Sequence, residues 1–322
     1  MRVLVTGASG FIGSRVCTHL EKSGHEVIRV SRAIRSTSQS TRRNEYNLDI
    51  ANPDTFENIE HAGGIDAIVH CAGLAHRFGK TSREDFLRVN VKGARNVAEF
   101  AVRNGIGRFV HLSSVLVYGT PMSNRPVSEA QRPDPKDHYA WSKFAGEMAV
   151  AEACESTHIK LAILRPVPVI GEGSQGNVAR LIDAIDRGRF LWIGDGRNER
   201  SFVYVDDVAA ATVVALSLRE ESVVLNVTGG AITVRELVET ISKHLGRPRP
   251  FSLIPHRFSR IAMRIFTPLA QLPWLGRYYR TVETWLADAV YSGEAFTNLG
   301  FIPKTSIREG LRREVESYTS KR

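Results

Sequence analysis

The first half of the chain alternates short apolar, β-branched runs with longer stretches of helical periodicity. The apolar runs predict five strands, namely Val3–Thr6, Glu26–Ser31, Ala67–His70, Phe109–Leu112 and Leu161–Leu164. The stretches between them predict three helices, namely Phe11–Lys22, Asp85–Arg103 and Tyr139–Ala153. Because strands separated by helices are joined by parallel crossovers, the pattern predicts an α/β fold with a doubly wound parallel sheet.

The pattern becomes irregular after Pro166, where glycine-rich turns occupy residues 171–173 and 194–196. The near-apolar segment Val208–Leu218 follows Asp206 and Asp207, which predicts a helix capped at its N-terminus. A strand-like run at Val223–Val227 is able to join the main sheet. We therefore expect a first domain over residues 1–165, with returning segments near 200–228, and a smaller, discontinuous lobe mainly over 166–322.

Composition narrows the class of protein. With 43% hydrophobic and 24% charged residues, the 322-residue chain is typical of a soluble globular protein. Its longest near-apolar segment is about half the ~20 residues that cross a bilayer, and its N-terminus does not resemble a signal peptide, so a cytoplasmic location is expected. The three cysteines are widely spaced, which favours buried thiols over a disulfide framework, and no metal site is predicted.

The net charge of +9 is compatible with nucleic acid, a membrane surface or an anionic small ligand. No nucleic-acid-binding motif accompanies the charge. The anionic ligand is therefore favoured, and no nucleic-acid partner is expected.

A glycine-rich turn follows the first predicted strand, with Gly7, Gly10 and Gly13 in a GxxGxxG arrangement that opens a helix. Gly7 permits a tight turn, Gly10 lets the backbone approach a pyrophosphate, and Gly13 allows close packing of helix on strand. The first helical N–H groups then face the phosphates. The motif predicts a dinucleotide site, and the alternative is a strand-to-helix turn without a ligand.

The second predicted strand ends in Ser31 and Arg32, where an acidic residue would bind the ribose hydroxyls of NAD. No carboxylate is present to repel a 2′-phosphate, and Arg32 is able to pair with one. NADP(H) is therefore favoured and NAD(H) remains possible. The alternative is a surface arginine in a basic loop.

Tyr139 and Lys143 stand four residues apart on a predicted helix and so share one face. A lysine ammonium and an oxidised nicotinamide ring would lower the phenol pKa from its usual value near 10. A serine lies near the end of the fourth predicted strand, in the pair Ser113-Ser114, where it is able to hydrogen-bond the substrate oxygen whose proton Tyr139 handles. The three residues predict an acid–base site for carbonyl and alcohol chemistry.

With these motifs the chain resembles the extended short-chain dehydrogenase/reductases, the NAD-dependent epimerase/dehydratase family, over nearly its whole length. The resemblance implies a catalytic set of Ser114, Tyr139 and Lys143. It implies contacts with the nucleotide sugar by Ser114, Asn177 and Arg200. The cofactor-binding residues that it implies are Gly7, Ser9, Gly10, Phe11, Ile12, Gly13, Ser31, Arg32, Asp49, Ile50, Cys71, Ala72, Gly73, Asn90, Tyr139, Lys143 and Pro166.

Two departures from the family pattern carry information. Sugar dehydratases place Asp-Glu after the active serine or threonine, whereas this chain has Val115 and Leu116, which cannot transfer protons. Dehydration is therefore not expected. Pro168 stands where many 4-epimerases carry an asparagine that holds the diphosphate.

Four functions remain open. The favoured one is reduction of a UDP-linked 4-keto-6-deoxy amino sugar in surface polysaccharide biosynthesis. A 4-epimerase with retained NAD would use the same residues. A non-catalytic dinucleotide-binding protein would not need the intact Ser114–Tyr139–Lys143 set, and a reductase of a non-nucleotide carbonyl compound would leave Arg200 without an anionic partner. The resemblance also implies a homodimer formed through the helices that contain Asp85 and Tyr139.

The segment Pro255–Ala287 interleaves large apolar residues with five arginines. Such a stretch is able to lie on an anionic membrane. A lid whose apolar face packs on the substrate lobe is favoured instead.

Overall fold

The computed structural model describes residues 1–32, 44–60, 63–75, 81–119, 126–190, 192–193, 195–248, 250, 252–254 and 287–322. The basic apolar segment predicted to form a lid therefore lies outside the described residues, apart from Ala287. Among the described residues no helix is both long and apolar enough to cross a membrane.

A seven-stranded parallel sheet forms the centre of the molecule, in the order β11-β6-β5-β4-β1-β2-β3. Its strands are β1 Arg2–Thr6, β2 Glu26–Ser31, β3 Glu45–Asn47, β4 Ala67–His70, β5 Arg108–Leu112, β6 Lys160–Pro166 and β11 Ser222–Val227. The predicted doubly wound sheet is confirmed, and the run at 223–227 does join it, beside β6.

The chain leaves β1 in one direction along the sheet through β2 and β3, then returns to the other side of β1 with β4. Strand order therefore reverses between β1 and β4. In open parallel sheets a ligand binds in the crevice at the carboxyl ends of the strands where this reversal occurs. The topology therefore indicates a ligand site at the carboxyl ends of β1, β4 and β5.

Helices cover both faces of the sheet. The described helices are α1 Phe11–Lys22, α2 Glu57–Glu60, α3 Arg83–Phe86, α4 Ala94–Arg103, α5 His138–Cys154, α6 Asn177–Asp186, α7 Val205–Ala215, α8 Val234–His244, α9 Glu294–Asn298 and α10 Ile307–Thr319. A π-helical segment, Leu87–Gly93, joins α3 to α4. Strands β1 and β5 send alternate residues to two apolar cores, with Val3, Val5 and Val110 on one face and Leu4 and Phe109 on the other.

A third apolar cluster belongs to the C-terminal part of the chain. It is formed mainly by α6, α8 and α10, and it includes Phe202, Tyr204 and Leu311. Short two-stranded sheets pair the remaining strands, which are β7 Val169–Ile170, β8 Trp192–Ile193, β9 Glu199–Ser201, β10 Val203–Tyr204, β12 Ala231–Thr233 and β13 Ser252–Ile254. These short strands were not predicted, since two or three residues carry no periodic signal.

Three local expectations need correction. The helix predicted at Asp85 starts at Arg83, because Ser82 accepts the Asp85 amide hydrogen bond and forms a capping box. The helix predicted from Val208 begins at Val205, so Asp206 and Asp207 lie in its first turn and do not cap it. Cys71 is only partly buried, whereas Cys17 and Cys154 are buried as expected.

Candidate active site

The glycine loop between β1 and α1 has the geometry that a dinucleotide needs. Gly7 has a φ of +67°, and a Cβ atom there would lie 2.8 Å from the Ala72 backbone. Ser9 and Gly10 are exposed, and α1 begins directly after Gly10 without a side-chain cap. The N–H groups of the first turn, Phe11 to Gly13, therefore face the loop and are available to a pyrophosphate. The residues present fit the predicted ligand.

The end of β4 forms the neighbouring wall of this crevice. The Thr6 hydroxyl accepts the Ala72 N–H at 3.2 Å and contacts His70 Nδ1 at 2.8 Å, which joins the ends of β1 and β4. A Cβ on Gly73 would lie 3.2 Å from Asn90 Oδ1 and 3.7 Å from Lys143 Nζ. The structure thus brings the predicted Cys71–Ala72–Gly73 strand end, Asn90 and Lys143 together.

Asn90 holds the segment that follows β4. Its side-chain oxygen accepts the Leu74 N–H at 2.7 Å, and its amide nitrogen donates to Leu74 O at 3.1 Å and to Ser142 Oγ at 2.9 Å. The side chain is buried and lies within the π-helical segment, a distortion that is frequent at functional sites. Asn90 therefore links β4 to α5 through polypeptide contacts.

The residues predicted to meet the adenosine half lie on the other side of the loop. Ile50 is buried against Gly93, and its carbonyl oxygen accepts a hydrogen bond from Asn96 at 2.8 Å. Asp49 is partly buried and lies 3.8 Å from the Arg88 guanidinium. Ser31 is buried and Arg32 is exposed at the end of β2. An exposed guanidinium at this edge is accessible to a phosphate.

The predicted catalytic residues meet at the carboxyl end of β5. Ser114 follows β5, and its side chain hydrogen-bonds the Tyr139 phenol. Lys143 stands one turn further along α5, is 6% exposed, and donates a hydrogen bond of 2.6 Å from Nζ to Leu112 O. Phe86 packs edge-on against the Tyr139 ring with centroids 5.9 Å apart. The spacing predicted from the sequence thus produces one compact site.

Burial controls the titration of both α5 residues. It raises the pKa of Tyr139 to about 12, although the hydrogen bond from Ser114 opposes the shift. It lowers the pKa of Lys143 to about 8, while Glu147 opposes that shift. The other cause of the shift is the Asp137 charge, which also raises the pKa, so the lowering expected from Lys143 together with an oxidised nicotinamide ring stays a prediction. The polypeptide by itself keeps Tyr139 protonated at neutral pH, as a proton donor requires.

A buried ion pair lies directly beneath this site. Glu147, one turn beyond Lys143, accepts hydrogen bonds from Arg165 Nε at 3.0 Å and Nη2 at 2.5 Å. It also accepts a short hydrogen bond from the Ser113 hydroxyl. Sequence reasoning missed this pair, although Tyr139, Lys143 and Glu147 repeat every four residues along one helix face.

Two buried histidines lie in the same layer. His70 on β4 and His111 on β5 are register partners whose rings stack with centroids 5.3 Å apart. Burial lowers the pKa of His70 to about 3 and holds that of His111 well below its usual range, with the Lys143 charge adding to both effects. Both rings are neutral at physiological pH. No sequence signal distinguished these two histidines from the other eight.

Arg200 approaches the site from the C-terminal part of the chain. It lies on β9, opposite Ile232 of β12, and burial lowers its pKa while the Tyr291 phenol opposes that shift. Tyr291 in turn packs near Tyr118, with ring centroids 6.2 Å apart. Tyr118 closes the short 3₁₀ turn that begins after Ser114. The charge of Arg200 thus acts on Tyr291, which lies beside Tyr118.

Asn177 and Pro166 have different surroundings. Pro166 ends β6 and is buried. Asn177 is exposed as the first residue of α6, and none of its described contacts reaches the catalytic residues. The loop before α6 does approach the cofactor loop, because a Cβ on Gly173 would lie 4.0 Å from the Phe11 ring.

Ion pairs hold that loop near α1. Glu172 accepts a hydrogen bond from Tyr204 Oη at 2.7 Å and lies 3.3 Å from Arg15 of α1. Arg15 also lies 3.7 Å from Asp206. Asp207 instead accepts the backbone N–H groups of Lys304 and Thr305 at 2.8 and 3.0 Å. These contacts join the first β–α unit to the C-terminal lobe, and sequence reasoning missed them.

The assembled residues are suited to proton transfer at an oxygen. A protonated phenol, a hydroxyl and a buried ammonium converge beside a crevice that fits a dinucleotide. The residues after Ser114 are Val115 and Leu116, neither of which is able to act as acid or base. The arrangement supports interconversion of a carbonyl and an alcohol and does not support loss of water.

The chain is similar to a known protein family and to two named enzymes. The model of the NAD dependent epimerase/dehydratase family matches residues 3–228. The chain is 30% identical to a 2-alkyl-3-oxoalkanoate reductase of Stenotrophomonas maltophilia, over 97% of this chain and 98% of that protein. It is 31% identical to a UDP-glucose 4-epimerase of Mycolicibacterium smegmatis, over 100% of this chain and 99% of that protein.

A solved structure is also similar to this chain over its full length. The structure of MoeE5 in complex with UDP-glucose and NAD has a TM-score of 0.75 to this chain at 28% identity. It covers 100% of this chain and 99% of its own. The similarity in fold therefore extends over the whole chain.

Proposed function

The chain belongs to the NAD dependent epimerase/dehydratase family, and from this premise we propose that it reduces C4 of a UDP-linked 4-keto-6-deoxy-N-acetylhexosamine. The hydrogen bond between Ser114 and a protonated Tyr139 beside the buried Lys143 supports carbonyl reduction. The observation that carries the reductase is the exposed Arg32 after Ser31, where a protein that retains NAD has a carboxylate. Such an enzyme would act in surface polysaccharide biosynthesis.

The roles of the chain's own residues follow from their contacts. Ser114 donates a hydrogen bond to the carbonyl oxygen and fixes its position. Tyr139 gives its phenolic proton to the same oxygen as negative charge develops there. The Lys143 ammonium stabilises the phenolate that remains and holds the ribose of the cofactor. When bound, the dinucleotide supplies the hydride that C4 receives.

The choice of cofactor rests on the end of β2. Family membership implies NAD binding, and preference for NADPH is our proposal. Ser31 and Arg32 replace the carboxylate that would repel a 2′-phosphate, and the Arg32 side chain is exposed. A reductase exchanges its cofactor in every turnover, which suits a site that selects the cellular reductant.

We propose that residues 166–322 form the main substrate lobe, in which Arg200 pairs with the diphosphate. The electrostatic interaction of Arg200 with Tyr291, whose ring lies 6.2 Å from that of Tyr118, supports this proposal. MoeE5 is described in complex with UDP-glucose and the M. smegmatis relative as a UDP-glucose 4-epimerase. Both descriptions support a UDP-sugar as the ligand of this chain.

A 4-epimerase is the second candidate. It is supported by the identity of 31% to the M. smegmatis UDP-glucose 4-epimerase over the full chain. An epimerase would use the same three residues, would retain its NAD, and would have no net redox demand. The two candidates therefore differ in cofactor turnover rather than in catalytic geometry.

Two assays separate these functions. In the first, the purified protein receives UDP-N-acetylglucosamine with no added cofactor. In the second, it receives a UDP-4-keto-6-deoxy-N-acetylhexosamine with NADPH. We expect stoichiometric NADPH consumption in the second assay alone, whereas formation of the C4 epimer in the first would replace the reductase by the epimerase.

A pair of variants tests whether Arg200 recognises the UDP part of the substrate. Replacement of Arg200 by Gln is expected to raise the KM for the UDP-sugar, whereas replacement of the exposed Arg219 by Gln is expected to leave it unchanged. NADPH consumption with a 2-alkyl-3-oxoalkanoate, at a rate independent of Arg200, would instead indicate the activity for which the S. maltophilia relative is named.

We also propose that the protein forms a homodimer through the α3–α4 region and α5. These helices expose Val102, Trp141 and Met148, which are among the large apolar side chains left exposed in the described part of the chain. Analytical ultracentrifugation of Met148→Lys should show a shift toward monomer. An unchanged mass for both proteins would contradict this interface.

A further inference from the structure

The 3₁₀ turn that follows Ser114 leaves one apolar side chain exposed. Val115, Val117 and Tyr118 are fully buried in the core, with exposures of 0–1%. Leu116 points the other way and is 42% exposed. The buried side chains of Val115, Val117 and Tyr118 fix the turn, and the same packing leaves Leu116 exposed to solvent.

Leu116 stands next to the reaction centre. Its backbone N–H donates to Ser114 Oγ at 3.2 Å, and the Ser114 side chain hydrogen-bonds Tyr139. The hydroxyl that orients the substrate oxygen is therefore within one hydrogen bond of the Leu116 backbone. The turn also follows the carboxyl end of β5, the edge at which ligands of such sheets bind.

An exposed leucine at this place is informative about the substrate. Isolated exposed leucines are common on protein surfaces, but this one lies two residues after Ser114 and binds its hydroxyl through the backbone. A ligand group packed on Leu116 loses the water around it, which favours a methyl or methylene and disfavours a hydroxyl left without a partner. Neither Leu116 nor Val115 offers a hydrogen bond from its side chain.

We propose that Leu116 is a specificity-determining residue that contacts an alkyl carbon attached beside the reacting carbonyl. The inference rests on the proposed function, in which this carbon is the C6 methyl group, borne on C5 next to the C4 carbonyl. Leu116 thereby makes the site select 6-deoxy sugars over sugars that carry a C6 hydroxyl.

The test measures selectivity in the direction of alcohol oxidation, where both sugars are stable. The matched substrates are a 6-deoxy and a 6-hydroxy UDP-N-acetylhexosamine, each of the C4 configuration that the enzyme uses, with NADP+ as oxidant. The measured quantity is the ratio of the two kcat/KM values. We expect the wild type to favour the 6-deoxy sugar by roughly tenfold to a hundredfold.

Leu116→Gln should reduce this ratio by about tenfold, mainly through a higher KM for the 6-deoxy sugar. Leu116→Met, which keeps an apolar side chain of similar volume, should retain it. The matched control is Ile302→Gln, because Ile302 is 67% exposed outside the proposed site, and its constants should equal those of the wild type. Leu116→Thr serves the same purpose if the Gln variant does not fold.

Two outcomes would overturn the inference without touching the proposed function. One is a ratio that stays unchanged in Leu116→Gln, and the other is a wild-type preference for the 6-hydroxy sugar. Failure of the wild type to act on either sugar, together with no NADPH consumption with the 4-keto sugar, would instead overturn the proposed function itself.

Discussion

Two polar networks in this molecule contain the same kinds of side chain in different settings. Beneath the candidate active site, Glu147 and Arg165 are almost completely buried and join α5 to β6. At the junction with the C-terminal lobe, Arg15 and Glu172 are about one-third exposed, and they join α1 to the loop before α6. The first network supports rigid positioning of Tyr139 and Lys143. The second network joins α1 to the loop before α6 at a place where water competes for the same hydrogen bonds.

The strength of each network depends on how far water reaches its charges. Charges in a dry helix–sheet interface are strongly coupled, and removal of one partner leaves the other without compensation. Charges in contact with water are screened, and each pair contributes little. Catalytic geometry is therefore expected to depend on the buried network, and attachment of the lobe on many weak contacts.

The largest effect should follow from breaking the buried pair. Glu147→Gln leaves the Arg165 guanidinium buried without a carboxylate, which should lower the free energy of unfolding by about 3–5 kcal/mol. The matched control is Glu152→Gln, because Glu152 on the same helix pairs with Arg95 at 2.7 Å but is 65% exposed. Its loss should cost about 0–1 kcal/mol. Urea unfolding measures both, and equal losses would contradict the contrast between buried and exposed pairs.

Removal of the Tyr139 phenol oxygen should abolish proton donation without disturbing the fold or cofactor binding. Tyr139→Phe keeps the apolar ring that packs against Phe86, so the fold and cofactor binding should persist. Turnover should fall by about a hundredfold or more, because the positioned proton donor is lost. Tyr46→Phe, on the edge strand β3, is the control with the same chemical change. Turnover of Tyr139→Phe near the wild-type rate would show that another group donates the proton.

Arg32 tests the exposed end of the cofactor crevice. Arg32→Ala should weaken NADPH binding by about 1.5–3 kcal/mol, since a charge-assisted contact with the 2′-phosphate is lost. NADH binding should change little, because NADH has no such phosphate. Fluorescence titration of both cofactors gives the comparison, with the exposed Arg103→Ala as a control. Equal weakening of both cofactors would identify Arg32 as an ordinary surface residue.

The sequence predicted the buried half of the site better than the lobe. Gly7, Ser114, Tyr139 and Lys143 were predictable because a parallel sheet brings the ends of its strands to one edge, and because a helix brings residues four apart to one face. The family and the doubly wound fold were predicted from these motifs and are confirmed.

The contacts around Glu172 could not be predicted in the same way. Arg15, Tyr204 and Glu172 are far apart in the sequence and meet only because short strands and loops pack in one particular arrangement. The raised pKa of Tyr139 in the polypeptide alone has a related cause, since the degree of burial of Tyr139 depends on tertiary packing. The roles of all the predicted catalytic, cofactor-binding and substrate-binding residues stay predictions.

The smallest change per pH unit should come from Glu314 of α10, a buried acid in the C-terminal part of the chain. Burial and the nearby Glu172 raise its pKa to about 7, although hydrogen bonds from the Gly171 N–H and the Ser174 side chain oppose the shift. The folded protein therefore binds this proton more tightly than the unfolded chain does. Its contribution to stability is complete below the ordinary carboxyl pKa of 4.5 and is lost as the pH rises through about 7.

Glu314→Gln keeps an acceptor for Gly171 and removes the titration. Compared with the wild type, the variant should gain relative stability as the pH rises between those two values, by at most about 1.4 kcal/mol per pH unit. Thermal or urea unfolding of both proteins over pH 4–8 measures this difference. The exposed Glu316→Gln provides the control, since Glu316 pairs with Arg312 at the surface of the same helix and should give no such trend. A difference in stability between wild type and Glu314→Gln that stays constant across the pH range would mean that this carboxyl is already ionised in the folded protein. The region around Glu314, like the junction at Glu172, would then tolerate a charge because water reaches it.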